Sequence, residues 1–199
     1  VDLSNCPKLC EFGDHPLLKI SQCKHLKELN LLGCPQIRGI GLEAVAGGCQ
    51  YLRVLRLSRC VAGTRDDQGA RALMNHCSRL EILVLIDWTV RLISLFCSRD
   101  VVSFSLPTHS LTHSLTHTHT NQTLRSRHVK GIVSKNPDLT ELVLSGCEAL
   151  KYQALDTIST CSKFQHLDIS RCKQMDDRAL KALKVTYRSI RSLNAIDCL

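Results

Sequence analysis

The sequence predicts an α/β solenoid in which parallel strands line a concave face and short helices cover the convex face. The main observation is an apolar frame that recurs about every 26 residues. In its cleanest copy, Phe164, Leu167 and Ile169 lie three, six and eight places after Cys161, and Cys172 ends the frame. Each copy has room for one strand and one short helix. Because a single copy cannot hide its apolar face, stacked copies must supply the core.

Further copies of the frame extend over the rest of the chain. Their frame residues are Cys23, Leu26, Leu29, Leu31 and Cys34; Cys49, Leu52, Leu55, Leu57 and Cys60; Asn136, Leu139, Leu142, Leu144 and Cys147; Tyr187, Ile190, Leu193, Ala195 and Cys198; and, less regularly, Cys77, Leu80, Leu83, Leu85 and Trp88, with Val1, Leu3 and Cys6 as a partial copy. This period and pattern are typical of leucine-rich repeats, in which each unit combines a strand with a helix or 3₁₀ turn. We therefore expect one domain of about seven repeats over residues 1–199. Since the first copy lacks its beginning and no polar capping repeat follows the last, we also expect the chain to be part of a longer protein.

The segments between strands predict the helices. Leu9, Leu17 and Ile20 should face inward from an irregular return with turns at Gly13 and Pro16. The next returns predict a helix with Leu42 and Val45 inward and a helix over 68–75 with Leu73 inward. After Asp176 and Asp177, a last helix should turn Leu180 and Leu183 inward.

One repeat contains an insertion. Cys77 and Asn136 are 59 residues apart, and the low-complexity tract SLPTHSLTHSLTHTHT lies between them. Removing residues 90–122 places Leu124, Val129 and Ile132 in the slots of Ile37, Leu42 and Val45, and so restores the period. We expect this segment to be disordered and to lie outside the solenoid. We interpret it as a retained intron or a gene-model error, with a functional loop as the alternative.

Ten of the twelve cysteines occupy two fixed repeat positions. Cysteine is small and often buried, so it can fill a tight layer and donate its S–H to a backbone carbonyl. The repeat therefore explains these thiols without disulfides, which indicates a reducing compartment, the cytoplasm or the nucleus. No C-x-x-C pair is present, and we expect no metal or other cofactor.

Composition and motifs exclude several functions. The net charge is +8, but lysine and arginine are scattered and no aromatic series accompanies them, so we do not expect nucleic-acid binding. The apolar run after Val90 is interrupted by Arg91, Arg99 and Asp100, so we expect no membrane span. The chain has no G-x-S-x-G, no H-E-x-x-H and no glycine-rich phosphate loop, and we do not expect an enzyme.

The spacing C-x-x-L-x-x-L-x-L-x-x-C, followed by a helix, resembles the cysteine-containing repeats of F-box/LRR proteins. The resemblance is clearest in CKHLKELNLLGCPQIRGIGLEAVAGGC, CSRLEILVLIDW, NPDLTELVLSGCEALKYQALDTISTC and CSKFQHLDISRCKQMDDRALKAL. It implies the substrate-recognition arc of an SCF-type ubiquitin ligase. A ligase adaptor is an expected partner only if an F-box lies outside these residues, because none lies within them. The alternative is a free-standing scaffold without a ligase role.

Strand alternation predicts where a protein partner binds. If the leucines six and eight places into each repeat point inward, the residues five, seven and nine places in point to the concave face. These residues are Glu28, Asn30, Leu32, Val54, Arg56, Ser58, Ile82, Val84, Ile86, Glu141, Val143, Ser145, His166, Asp168, Ser170, Ser192, Asn194 and Ile196. We expect them to be exposed, with an apolar centre and a polar rim, as in a protein interface. The alternative is that the β-branched residues only suit strands.

Overall fold

The computed structural model of this protein describes residues 1–6, 13–34, 37–58, 68–87, 124–185 and 189–198. Within these ranges, strands and helices alternate along the chain, as the repeat predicts. No described helix is both long and apolar enough to cross a membrane.

The strands form one parallel sheet whose spatial order is the chain order. They are β1 (Glu28–Leu31), β2 (Val54–Ser58), β3 (Ile82–Ile86), β4 (Glu141–Val143), β5 (His166–Asp168) and β6 (Ser192–Asn194). Residues 1–5 lie alongside β1, where Asp2 bridges Asn30. Each strand therefore pairs with the equivalent strand of the next repeat, which confirms the predicted solenoid.

Helical segments connect these strands. The α-helices are α1 (His15–Ile20), α2 (Gly39–Gly48), α3 (Gln68–His76), α4 (Ser126–Lys135) and α5 (Asp177–Ala182), and the 3₁₀ turns are Tyr152–Leu155, Ile158–Thr160 and Leu183–Val185. Asp176 caps α5 by accepting a hydrogen bond from the backbone N–H of Arg178, which satisfies one free donor at that end. The connections that follow α4 use 3₁₀ turns and one six-residue helix, which are shorter than α2, α3 and α4.

The core lies between the sheet and the helices. The leucines six and eight places into the repeats of β1 to β4 are at most 1% exposed; they are Leu29, Leu31, Leu55, Leu57, Leu83, Leu85, Leu142 and Leu144. Phe164 is also fully buried. Burial of each such side chain contributes about 2 kcal/mol, so the recurring leucine frame supplies most of the core.

The sheet continues across the insertion. Val84 pairs with Val143 in the β3–β4 register although the connecting chain is longer than elsewhere. Leu124, Val129 and Ile132 are all buried, as the restored period predicts. Residues 90–122 themselves lie outside the described ranges, so their position outside the solenoid stays a prediction.

Asn136 holds the two sides of the insertion together. Its side-chain N–H groups donate to the carbonyls of Cys77 (3.0 Å) and Ile132 (2.7 Å), and its Oδ1 accepts from the Leu80 N–H (2.6 Å). Asn136 is only 1% exposed. An unpaired buried polar group costs about 1–3 kcal/mol, so these three bonds make an asparagine stable in a slot where most other repeats have cysteine.

Four buried cysteines and the half-buried Cys198 donate to backbone carbonyls of the preceding repeat. The pairs are Cys34–Leu3 (3.3 Å), Cys49–Ile20 (3.6 Å), Cys147–Leu85 (3.5 Å), Cys172–Leu144 (3.1 Å) and Cys198–Ile169 (2.9 Å). Burial raises the pKa of the Cys77 and Cys172 thiols to about 12. The predicted structural role of these cysteines is confirmed. Cys60 lies outside the described residues.

Four sequence predictions are wrong at the ends of the sheet. The segment after Gly13 is helical rather than irregular, and Pro16 lies in the first turn of α1, where its missing N–H costs nothing. Leu180 is 56% exposed, since no described helix follows α5 to cover it. Leu193, a frame residue expected to point inward from β6, is 44% exposed, since no described strand follows β6. Cys23 is exposed, unlike Cys49 in the equivalent slot.

Candidate protein-binding face

The structure arranges the predicted site residues in three rows across the sheet. The first row is Glu28, Val54, Ile82, Glu141, His166 and Ser192, and the second is Asn30, Arg56, Val84, Val143, Asp168 and Asn194. The third row follows at the carboxyl ends of the strands and contains Leu32, Ser58, Ile86, Ser145, Ser170 and Ile196. The strand register therefore brings side chains from six repeats onto one face.

Two residues expected to be exposed at the centre of this face are buried. Val54 is 7% exposed and Val84 is 6% exposed. Val84 lies between Arg56 and Val143 in the second row, and neighbouring strands are only about 4.8 Å apart. Small β-branched side chains are then covered by their row neighbours. Ile82, Ile86 and Val143 remain half-buried and define the accessible apolar centre.

Ser145 and Ser170, also expected to be exposed, are buried and bond to each other. The Ser170 hydroxyl donates to the Ser145 Oγ at 3.0 Å. Arg171 Nη2 also donates to the Ser145 Oγ, at 3.1 Å. These two serines therefore tie β4 to β5 at the edge of the face and are not available to a partner.

In the outer repeats, the second-row side chains close turns. Asp168 accepts from the Ser170 N–H at 2.8 Å and from the Asn194 Nδ2 at 3.1 Å. Asn30 accepts from the Leu32 N–H at 3.2 Å. Such Asx turns satisfy backbone donors where a strand ends. These side chains thus have a structural role besides any contact with a partner, which the alternation pattern alone did not reveal.

A row of left-handed residues borders the face, one place before the residue that ends each frame, which is a cysteine in every copy but that of β3, where it is Trp88. Its described members are Asn5, Gly33, Asp87, Gly146, Arg171 and Asp197, all with positive φ. The Arg171 guanidinium lies 3.4 Å from the Asp87 carboxylate, and these two residues belong to repeats on either side of Gly146. A side chain at Gly146 would collide with that carboxylate. The absence of a side chain there therefore lets Asp87 and Arg171 pair across a full repeat.

The later half of the face forms a shallow depression of about 340 Å³. Its polar lining residues are Glu141, His166, Asp168, Ser192 and Asn194. Over all three rows, the face carries three carboxylates and one guanidinium, while the whole chain has a net charge of +8. The face is therefore acidic relative to the rest of the protein.

The face carries apolar, hydrogen-bonding and charged groups. Within the described ranges, no group of three or more histidine, cysteine, aspartate or glutamate side chains could hold a metal ion. Its chemistry consists of apolar contacts, hydrogen bonds and charge, which are the interactions of protein recognition.

These features define an α/β leucine-rich-repeat solenoid, a fold whose extended concave surfaces bind other proteins and are typically not catalytic. A family model described as a leucine-rich repeat matches residues 22–46 and 160–184. These two matches cover the repeats of β1 with α2 and of β5 with α5.

Among solved structures, the chain is similar to one from the crystal structure of the Rad7 and Elc1 complex in yeast. The two chains are 16% identical, with a TM-score of 0.33. The alignment covers 93% of this chain and 61% of the yeast chain, so this chain spans less than two thirds of that length.

Proposed function

We propose that this protein recognises a protein partner through the three rows of its concave face. The observation that carries the proposal is the strand register, which gathers Ile82, Ile86 and Val143 from two repeats into one apolar centre. Charged and amide side chains of the neighbouring strands surround this centre. An apolar centre with a polar rim is the usual layout of a protein interface.

The charge of the face favours a particular partner. Glu28, Glu141 and Asp168 outnumber Arg56, and the depression over β4 to β6 is lined by two of these carboxylates. We expect a partner segment whose apolar side chains contact the middle strands and whose lysine or arginine side chains lie over the later ones. Opposite charge at the rim raises the rate of association and the specificity more than the affinity.

We also propose that this partner is a substrate of a ubiquitin ligase and that the chain is the substrate-recognition arc of an F-box/LRR protein in the cytoplasm or nucleus. The resemblance of the cysteine-containing repeat supports this assignment. A free-standing scaffold is the alternative. Co-purification of the full-length protein with a ligase adaptor distinguishes the two, since a scaffold would retain its partner but not the adaptor.

The binding face is tested by a matched pair of substitutions. Ile82 is half-buried at the apolar centre, whereas Ile40 lies on α2 and is 57% exposed. Partners captured with the tagged protein are identified by mass spectrometry and then titrated. Ile82→Asp should weaken binding of a captured partner about 100-fold, because it places a charge in the centre of an interface. Ile40→Asp should change binding less than about twofold.

Circular dichroism of both variants shows whether the fold is retained. If Ile40→Asp abolishes binding and Ile82→Asp does not, the partner binds the helices and the proposal is wrong.

A further inference from the structure

A second surface lies along the edge where the strands begin. Two positions of each repeat, two and four places after its first residue, precede the strand and align from repeat to repeat. The Arg53 N–H donates to the Lys27 carbonyl at 2.7 Å, and the Glu81 N–H donates to the Arg53 carbonyl at 2.8 Å. The backbone therefore fixes Lys27, Arg53 and Glu81 in one row.

A stacked row lies beside it in the same three repeats. The His25 and Tyr51 ring centroids are 5.6 Å apart. The Arg79 guanidinium carbon lies 4.8 Å from the Tyr51 ring centroid. Tyr51 is 43% exposed. A guanidinium over an aromatic ring is held in place by a cation–π contact while its N–H donors stay available.

Most of the charge on this edge is unpaired. Arg53 contacts Glu81 at 3.1 Å. Among the described residues, no carboxylate pairs with Lys24, Lys27 or Arg79, and all three are exposed.

The same edge differs in a later repeat. There, Lys163 takes the position equivalent to Tyr51 and contacts Asp138 of the preceding repeat at 2.7 Å. The excess of positive charge thus belongs to the repeats of β1 to β3.

We propose that this basic edge, composed of Lys24, His25, Lys27, Tyr51, Arg53 and Arg79, binds an acidic segment of a protein partner. Adjacent repeats are about 4.8 Å apart, so three repeats span about 10 Å. That span matches about three residues of extended peptide. The exposed lysines and the Arg79 fork supply donors for carboxylates, and the Tyr51 ring supplies an apolar contact.

The size of the edge favours a peptide over a nucleic acid. Proteins that bind single strands use a long basic groove with several stacking rings, whereas this edge has one tyrosine and four cations. The edge is also separate from the concave rows, so it contacts a different part of a partner or a second partner.

The probe is a fluorescent peptide of alternating glutamate and glycine, and its binding to the full chain is measured by anisotropy. A peptide with lysine in place of glutamate and a labelled thymidine oligonucleotide serve as comparisons. Lys24→Glu/Arg79→Glu should weaken binding of the acidic peptide about tenfold, and higher salt should weaken it further. Arg191→Glu, which reverses an exposed cation in the row of Lys27 and Arg53 but at the last strand, should change it less than about twofold.

Lys24→Glu/Lys27→Glu provides a second test that leaves the stacked arginine in place, and circular dichroism checks that each variant is folded. The proposal is overturned if folded reversal variants bind the acidic peptide as tightly as the unchanged protein. Tighter binding of the oligonucleotide, or no preference for glutamate over lysine, would also overturn it. Loss of concave-face binding in Ile82→Asp leaves this edge intact, so the two proposals fail separately.

Discussion

The middle strands and the last strands of the sheet use the same repeat positions differently. Strands β2 and β3 extend over five residues, whereas β4, β5 and β6 extend over three. In the second row, Arg56 and Val84 occupy the middle strands, while Asp168 and Asn194 occupy the last two. The later side chains accept backbone N–H groups and end the strand. The side chains of Arg56 and Val84 have no acceptor atom for such a bond. Strands β2 and β3 continue for two residues beyond them.

This difference separates side chains that serve the fold from side chains that can serve a partner. A carboxylate that accepts two hydrogen bonds within the protein has fewer acceptor sites left for a partner. An arginine or isoleucine without such a bond is free to contact another molecule at little cost to the fold. The middle of the face is therefore the better place for specificity, and the later part for stability.

The largest expected effect concerns buried thiols in both regions. Cys77 and Cys172 have pKa values of about 12 in the folded protein, because burial disfavours the thiolate, against the usual 9.0. Between these values the unfolded chain loses protons that the folded chain keeps. These two thiols should not change stability below about pH 8, and from about pH 9 upward each should lower it by about 1.4 kcal/mol for each pH unit. Urea denaturation at successive pH values measures this slope.

Cysteine substitutions identify the source of that slope. Cys172→Ala should make the slope shallower by about 1.4 kcal/mol per pH unit, whereas Cys23→Ala should leave it unchanged because Cys23 is exposed. An equal slope in all three proteins would show that other groups cause the alkaline loss of stability.

A smaller effect is expected at the junction between the two regions. Gly146 has φ +72°, and an added Cβ would collide with the Asp87 carboxylate. Gly146→Ala should therefore destabilise the protein by about 2 kcal/mol. Gly47 lies in α2 with open space around it, so Gly47→Ala should stabilise by about 0.5–1 kcal/mol. Thermal unfolding of the two variants measures these changes in stability. A Gly146→Ala variant as stable as the unchanged protein would contradict the proposed collision.

The smallest effect tests the comparison itself. Asp168→Ala removes the bonds to the Ser170 N–H and the Asn194 side chain, and should cost about 1 kcal/mol. Arg56→Ala, in the same row, should change stability by less than about 0.5 kcal/mol. Urea denaturation measures the free energy of unfolding of both variants. Equal losses would mean that second-row side chains stabilise the last strands no more than the middle strands.

The repeat spacing was sufficient to predict the strands, their order and the buried leucines, because each apolar slot contacts the equivalent slot of the next repeat. It failed where that neighbour is missing among the described residues. Leu42 is buried because its Cδ1 lies against Gly69 of the next helix. Leu180 has the same place in its repeat, yet it is exposed. Burial at a solenoid end thus depends on a neighbour that the local pattern does not contain.

The composition of the face was predictable, but its accessibility was not. Alternation predicted that Val84 and Ser145 face the concave side, yet both are buried. Whether such a side chain is exposed depends on the residues beside it in the neighbouring strands, as Ser170 and Arg171 cover Ser145. The basic edge was missed for a similar reason. Arg79 and Tyr51 are distant in sequence, and only alignment of their repeats brings them together.

The asparagine bridge over the insertion also affects the order of folding. Most neighbouring strands are connected by a chain of about 26 residues, whereas the Thr140–Glu81 hydrogen bond between β3 and β4 closes a loop of 59. Closing the longer loop costs about 0.7 kcal/mol more, a factor of about three in rate. In a solenoid, structure can nucleate in any repeat and then spread to its neighbours. Two nuclei, one on each side of the insertion, would therefore form first, and their joining at Asn136 would complete the sheet.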